Sequence, residues 1–320
     1  MPRKKFRIST DDYNRVLITE TLPYEVPLIY SNEGIYDFYK SVDSALFKVP
    51  DIAAKILGIS TDQVKAKQPF SYKISKDINS VRALSLIHPA VQKEFVDFYR
   101  DNDSLINFYC SKSEFSLRYP KKVASTVYEL RNNETYNQLT TSTTELKDDV
   151  VELEGEDKKK EFSANYFSYK KVNILYKFFE SSEFIRLEKK FTRMSALDVS
   201  RCFDTVYTHS LSWAVKSKEY AKQFVSTIKP QSFDDNFDCL IRKANDNETN
   251  GIVIGPEFSR IYAEIILQQI DLDIENELLH NELVHNRDYA IRRYIDDFYI
   301  FSKSESVGDL VKSIVTDKLW

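Results

Sequence analysis

The chain has 320 residues, of which 42% are hydrophobic, 13% aromatic and 29% charged; that is ample for a packed core and excludes a disordered chain. Its formal net charge of −4 has the wrong sign for a general duplex binder, whose affinity comes mainly from neutralising phosphates, so any nucleic-acid site must be a local basic groove on an acidic body. The three cysteines, Cys110, Cys202 and Cys239, lie far apart with no C-x-x-C pair, and neither a disulfide framework nor a zinc site is expected; with no apolar run of bilayer length, the expectation is a soluble cytoplasmic protein without a membrane partner.

In chain order, residues 1–68 read as a helical N-terminal extension, with short apolar periodic segments such as Ile52-Ala53-Ala54-Lys55-Ile56-Leu57. From Pro69 the texture changes to short segments with basic punctuation. Phe70-Ser71-Tyr72-Lys73-Ile74 alternates with period 2 and predicts a strand. Near 140–161 a Thr/Ser cluster runs into Asp148, Asp149, Glu152, Glu154, Glu156 and Asp157, then Lys158-Lys159-Lys160. No apolar period accompanies these charges, which predicts an exposed insertion without catalytic role.

From Gly255-Pro256 onward a helix is predicted to about His280. Proline suits a first helical turn, and Phe258, Ile261, Tyr262, Ile265, Ile266 and Ile270 recur at helical spacing. Tyr289 to Ser302 is rich in aromatic and β-branched residues and predicts two short strands meeting at Ile295-Asp296-Asp297-Phe298. A short helical segment, Ser306 to Trp320, follows.

The chemistry concentrates at that meeting point. Asp is depleted in strands, and two like charges ~4 Å apart repel by about 4 kcal/mol at an effective dielectric near 20. A divalent cation reverses that sign, and hard oxygen ligands suit Mg²⁺. Upstream, Ser195-Ala196-Leu197-Asp198 places a further carboxylate at the end of an apolar strand before a turn. Two-metal phosphoryl transfer needs carboxylates from different chain segments converging on one spot, and Asp198 with Asp296 can supply that. Between them, Gly251 and Gly255 allow a close backbone approach to a ligand.

The ordered set D-V-S-R-C-F-D (198–204), G-I-V-I-G-P-E-F-S-R (251–260) and Y-I-D-D (294–297) resembles motifs A, B and C of reverse transcriptases. The stretch Tyr207-Thr208-His209-Ser210-Leu211-Ser212-Trp213 is similar to the Y-T-H-S-x-x-W pattern of bacterial abortive-infection, defence-associated reverse transcriptases. The resemblance covers roughly 69–316 and is densest from 193 to 302. It implies an α+β, reverse-transcriptase-like right hand, with an antiparallel palm sheet backed by helices: fingers over 69–195 with the acidic insertion, and palm over 196–320. The family continues beyond this point with more palm and a thumb, so the thumb is expected to be missing or truncated here.

Carried over residue by residue, the resemblance makes Asp198, Asp296 and Asp297 the catalytic metal carboxylates, with Val199 beside them as a metal ligand. Phe203 stands at the position of the steric gate against a ribose 2′-hydroxyl. Gly255 and Ser259 match the motif that supports the nascent base pair. Lys73, Lys76 and Arg82 fall where the fingers present cations to an incoming triphosphate, with Arg118, Lys121 and Lys122 as a second basic set; His209 reads as a structural histidine. The implied activity is addition of deoxynucleotides by two-metal phosphoryl transfer with Mg²⁺, or Mn²⁺ in its place. The implied partners are deoxynucleoside triphosphates, a nucleic-acid template or primer that some members dispense with, and a second copy of the chain. The implied setting is anti-phage defence. Alternatives at this stage are an RNA-directed RNA polymerase, against which Phe203 speaks, untemplated protein-primed synthesis, and a catalytically idle scaffold in a defence complex.

Overall fold

The computed structural model describes residues 5–43, 65–76, 78–128, 151–152, 165–170, 172, 174–216 and 232–319. The segment 52–57 lies outside them, and of the acidic segment only Val151 and Glu152 fall within them. In chain order come β1 (Lys5–Arg7), a 3-10 turn (Tyr13–Arg15), α1 (Val16–Thr19), α2 (Glu33–Asp43), β2 (Phe70–Ser75), β3 (Val81–Leu86), α3 (Pro89–Tyr109), β4 (Pro120–Val123), β5 (Thr126–Tyr128), β6 (Val151–Glu152) and β7 (Phe167–Tyr169). There follow α4 (Tyr176–Phe179), α5 (Ser182–Lys190), β8 (Arg193–Asp198), α6 (Cys202–Thr205), α7 (Ser210–Lys216), α8 (Phe233–Ala244), α9 (Glu257–His280), β9 (Tyr289–Tyr294), β10 (Asp297–Ser302) and α10 (Glu305–Leu319). Helices and strands are mixed, and the pairing is antiparallel apart from β5 with β6.

The sheet that matters most has the order β8–β10–β9. Successive residues of a strand face opposite sides, and cross-strand partners share a side. Leu197, Phe298, Ile300 and Ile291 therefore point together toward Ile274 and Leu278 of α9 and Val311 and Val315 of α10. On the other side Ala290, Tyr299 and Phe301 pack with Phe178, Leu187 and Phe191, from α4 and the end of α5. Both faces are covered, and β9 and β10 bury aromatic and aliphatic residues on each of them, with Arg292 and Arg293 as the charged exceptions in β9 and Asp297 in β10.

The main core lies where α3, α8 and α9 meet. Phe95 of α3 stacks on Phe258 of α9 with ring centroids 4.0 Å apart, and Phe237 of α8 meets Tyr262 edge-on at 4.9 Å. Helix α9 thus gives its first turns to this core, through Phe258, Ile261, Tyr262 and Ile265, and its last turns to the sheet, through Ile274 and Leu278.

Its N-terminus explains the fate of the first segment. Pro256 caps α9 without a side-chain hydrogen bond, leaving helix N–H groups that need an acceptor. The Glu20 carbonyl accepts from Glu257 N at 2.8 Å and Phe258 N at 3.3 Å, while Val16 and Leu17 sit fully buried in the main core. Val16 and Leu17 are thus part of the main core, and a strand, β1, stands within the region read as helical. The apolar spacing was visible, but the capping contact joins residues more than two hundred positions apart.

Candidate active site

The register of the central sheet brings the predicted carboxylates together. Asp297 opens β10 and is the cross-strand partner of Asp198, the last residue of β8. Both therefore project from the same side, the one facing away from α9 and α10. Asp296 occupies the second position of the two-residue turn between β9 and β10, whose first position is Ile295 at φ 58°. Two-residue hairpin turns need a positive φ there to match strand twist. A β-branched side chain in that conformation is strained by roughly 1–3 kcal/mol, the kind of cost found at functional sites.

The electrostatics follow from crowding. Burial first, then the negative charge of Asp198, raises the pKa of Asp296, opposed by a backbone hydrogen bond and by the positive charges of Arg293 and Arg82. Burial, Asp296 and Asp198 raise that of Asp297. Behind them the buried Cys202 thiol is pushed up to about 12 by burial and by Asp296 and Asp198, which leaves it unreactive. Oxygen donors that repel one another suit a hard divalent cation. Among the described residues, however, no three His, Cys, Asp or Glu side chains stand close enough to hold an ion as they are. The backbone register brings the three carboxylates to one end of the sheet.

The loop after Asp198 is equally specific. Val199 N donates to the Asp296 carbonyl at 3.4 Å, tying the two carboxylate segments, and the Val199 carbonyl accepts from Cys202 N at 3.2 Å. Arg201 adopts the left-handed conformation (φ 55°) and starts α6, so the chain reverses at once and carries Phe203 back. Phe203 is half-buried and packs against the main core, its carbonyl accepting from Ile252 N at 2.9 Å.

The glycines lie where the chain comes close to itself. Gly251, at φ 84°, lies where a Cβ would meet the Asp204 carbonyl at 2.9 Å. Gly255, at φ 121°, has Pro23 Cβ 2.6 Å from its own Cβ position and Leu84 Cδ2 at 3.5 Å. The close approach read from sequence is thus made by the chain's own segments. Ser259 is fully buried, its hydroxyl without a hydrogen-bond partner among the described residues.

The basic candidates separate. The β2–β3 hairpin docks through Ser85 N, which donates to the Ile254 carbonyl at 3.0 Å. Arg82 pairs with Ile74 and shares its face with Leu84, whose side chain meets Gly255. This is the side from which Arg82 acts on Asp296. Lys73 pairs with Ala83 and lies on the opposite face; Lys76 lies just beyond β2. Arg118 is buried against Glu257 at 2.6 Å, with its guanidinium 4.0 Å over the Tyr169 ring, so it is a structural cation, whereas Lys121 and Lys122 lie on β4. His209 Nδ1 stands 3.1 Å from Asp238 Oδ2, which Arg242 also holds at 3.1 Å.

Residues missed in the sequence lie behind the turn. Arg293, fully buried, is bound by Glu264 and Asp271 of α9. Two acids seven positions apart on one face of α9, and an arginine next to the aspartate turn, were the available signal. A small pocket beside this network is lined by Tyr169, Glu257, Arg260, Glu264 and Ile295. Among the described residues no helix is long and apolar enough to cross a membrane.

No protein-family model matches the sequence, and no curated protein matches it. Among solved structures the chain is similar to telomerase from Candida albicans in complex with the TWJ fragment of telomeric RNA, at 12% identity and a TM-score of 0.42, covering 95% of this chain and 48% of that one. It is also similar to apo telomerase from Candida tropicalis truncated from the C-terminal domain, at 16% identity and a TM-score of 0.31, covering 46% of this chain and 31% of that one. The chain spans less than half the length of these two telomerase chains.

Proposed function

We propose that this chain is a metal-dependent nucleotidyltransferase of the reverse-transcriptase type, adding deoxynucleotides and serving in bacterial anti-phage defence. The observation that carries the chemistry is the pairing of Asp198 with Asp297 in register across β8 and β10, with Asp296 on the adjoining turn. The defence setting rests on the Y-T-H-S-x-x-W resemblance at 207–213.

Asp198, Asp296 and Asp297 would hold the divalent cations, Mg²⁺ or Mn²⁺, since the set is all oxygen and its mutual repulsion is relieved by positive charge. Bound there, such ions supply Lewis-acid polarisation of phosphoryl oxygens and a lowered pKa for the attacking hydroxyl. The protein's own part is positional. Arg82 offers a cation to the phosphates from the β3 side, and Phe203 lies one turn beyond the Asp198 strand end, where a sugar ring would approach.

Incorporation of a labelled deoxynucleotide, with and without chelator and with and without added template, tests the proposal. Asp296→Asn should keep the fold and lower incorporation at least about a thousandfold, because an ion bound there supplies several kcal/mol of charge stabilisation. Full activity in that variant, or in excess chelator, refutes the mechanism. Equal activity without template would identify untemplated synthesis at the same site, and no activity under any condition would favour an idle scaffold.

A further inference from the structure

Arg293 of β9 has no solvent exposure, yet it is surrounded by more acid than it neutralises. Its Nε donates to Asp271 Oδ1 and Oδ2 at 3.0 and 3.1 Å, and its Nη2 to Asp271 Oδ2 at 2.8 Å. Glu264 Oε2 accepts from Nη1 at 2.7 Å and Oε1 from Nη2 at 3.1 Å. The remaining Nη1 hydrogen goes to the carbonyl of Ile295 at 2.8 Å, so every donor of the guanidinium fork is used.

That last bond singles the residue out. Ile295 is the strained first residue of the turn, and Asp296 is the second. The carboxylates that hold the guanidinium both come from α9, seven positions apart on one face of a helix seated in two cores. The backbone of Arg293 is also pinned, its N donating to the Phe115 carbonyl and its carbonyl accepting from Leu117 N, each at 2.7 Å. A buried ionic network of this kind is seldom the most stable filling of a core, since well-packed apolar residues often do as well. A rigid bridge from a long helix to one strained peptide is something apolar residues could not provide.

We propose that Arg293, held by Glu264 and Asp271, is the positioning residue of the carboxylate site: its bond to the Ile295 carbonyl holds the turn in the conformation that presents Asp296 to a divalent cation. This rests on the metal-site reading of Asp198, Asp296 and Asp297. Outer partners of metal ligands act by fixing ligand orientation, and their loss typically lowers metal affinity by roughly 10–100-fold. Lysine keeps the charge but has no planar fork, so it cannot serve two carboxylates and the turn carbonyl in this geometry.

The test compares Mn²⁺ binding, followed by electron paramagnetic resonance, and the Mg²⁺ dependence of deoxynucleotide incorporation in the full chain and in Arg293→Lys. The expected result is a folded variant whose Mn²⁺ affinity falls about tenfold or more, whose half-maximal Mg²⁺ concentration rises in parallel, and whose nucleotide KM at saturating Mg²⁺ stays near the parent value. A folded Arg293→Lys with unchanged Mn²⁺ affinity and Mg²⁺ dependence overturns the positioning role while leaving the metal site standing. If the parent chain itself binds no Mn²⁺ and incorporates no nucleotide, the metal-site reading fails and the inference falls with it. Should Arg293→Lys not fold, Glu264→Gln decides the matter by the same two measurements, because it keeps the Asp271 pair; a smaller loss in the same direction supports the role, and no change overturns it.

Discussion

Apart from Asp198 at the end of β8, the charged residues of the candidate site lie on two antiparallel hairpins, and these are built in opposite ways. The β9–β10 hairpin is buried on both faces, and its turn is tied by the Arg293 network to α9. The β2–β3 hairpin is exposed along most of its length and joins the body through its last residues, Leu84 to Leu86. The first presents acids and the second presents cations. Carboxylates that repel one another stay together only if the fold holds them, whereas cations on an exposed strand keep their hydration and need no such support.

The sharpest way to break this contrast is to remove the tie. Arg293→Met would leave Glu264 and Asp271 buried without their cation, and breaking such a network should cost about 3–5 kcal/mol of stability; the denaturant midpoint reads it. The matched change in the exposed hairpin, Arg82→Met, should move that midpoint by no more than about 0.5 kcal/mol. Equal shifts would show that the two hairpins do not differ in the way described.

Function should show the reverse asymmetry within the exposed hairpin. Arg82→Ala should lower kcat/KM for the nucleotide by about 2 kcal/mol, roughly thirtyfold, the worth of a charged hydrogen bond. A comparable size is expected at the sugar. Phe203→Ala, in a folded variant, should raise ribonucleotide relative to deoxynucleotide incorporation by about one to two decades, since an unsatisfied hydroxyl costs ~1–3 kcal/mol. A parental ratio would make Phe203 a core aromatic only, which its packing against the main core would explain. The smallest effect belongs to Lys73→Ala, on the face away from Arg82; both midpoint and kcat/KM should stay within about 0.5 kcal/mol of the parent. A loss matching that of Arg82 would mean that the nucleotide approaches from the other side of the hairpin.

Much of the site was legible because its signals are local. Period-2 alternation marked β2, the aromatic run marked β9 and β10, and the adjacent aspartates marked the turn between them, each within a short stretch of chain. The long helix announced itself by Pro256 and its apolar spacing, though it begins at Glu257 and its cap comes from Glu20. The glycines were legible as places of close approach, but not what approaches them, because Pro23 and Leu84 are distant in sequence.

What the sequence by itself determined is the list of parts: an α+β chain, a hairpin with paired acids at its turn, a third acid at a strand end, and cations on another hairpin. Such features arise from backbone periodicity and turn chemistry, which need only near neighbours. The tertiary structure alone decided that Asp198 faces Asp297 rather than its neighbour's side, that Arg82 and not Lys73 turns toward the carboxylates, and that Arg293 is held by Glu264 and Asp271. Register and burial decide these, because a shift of one residue along a strand reverses every side chain, and a buried charge is tolerated only where the fold brings its partners to it.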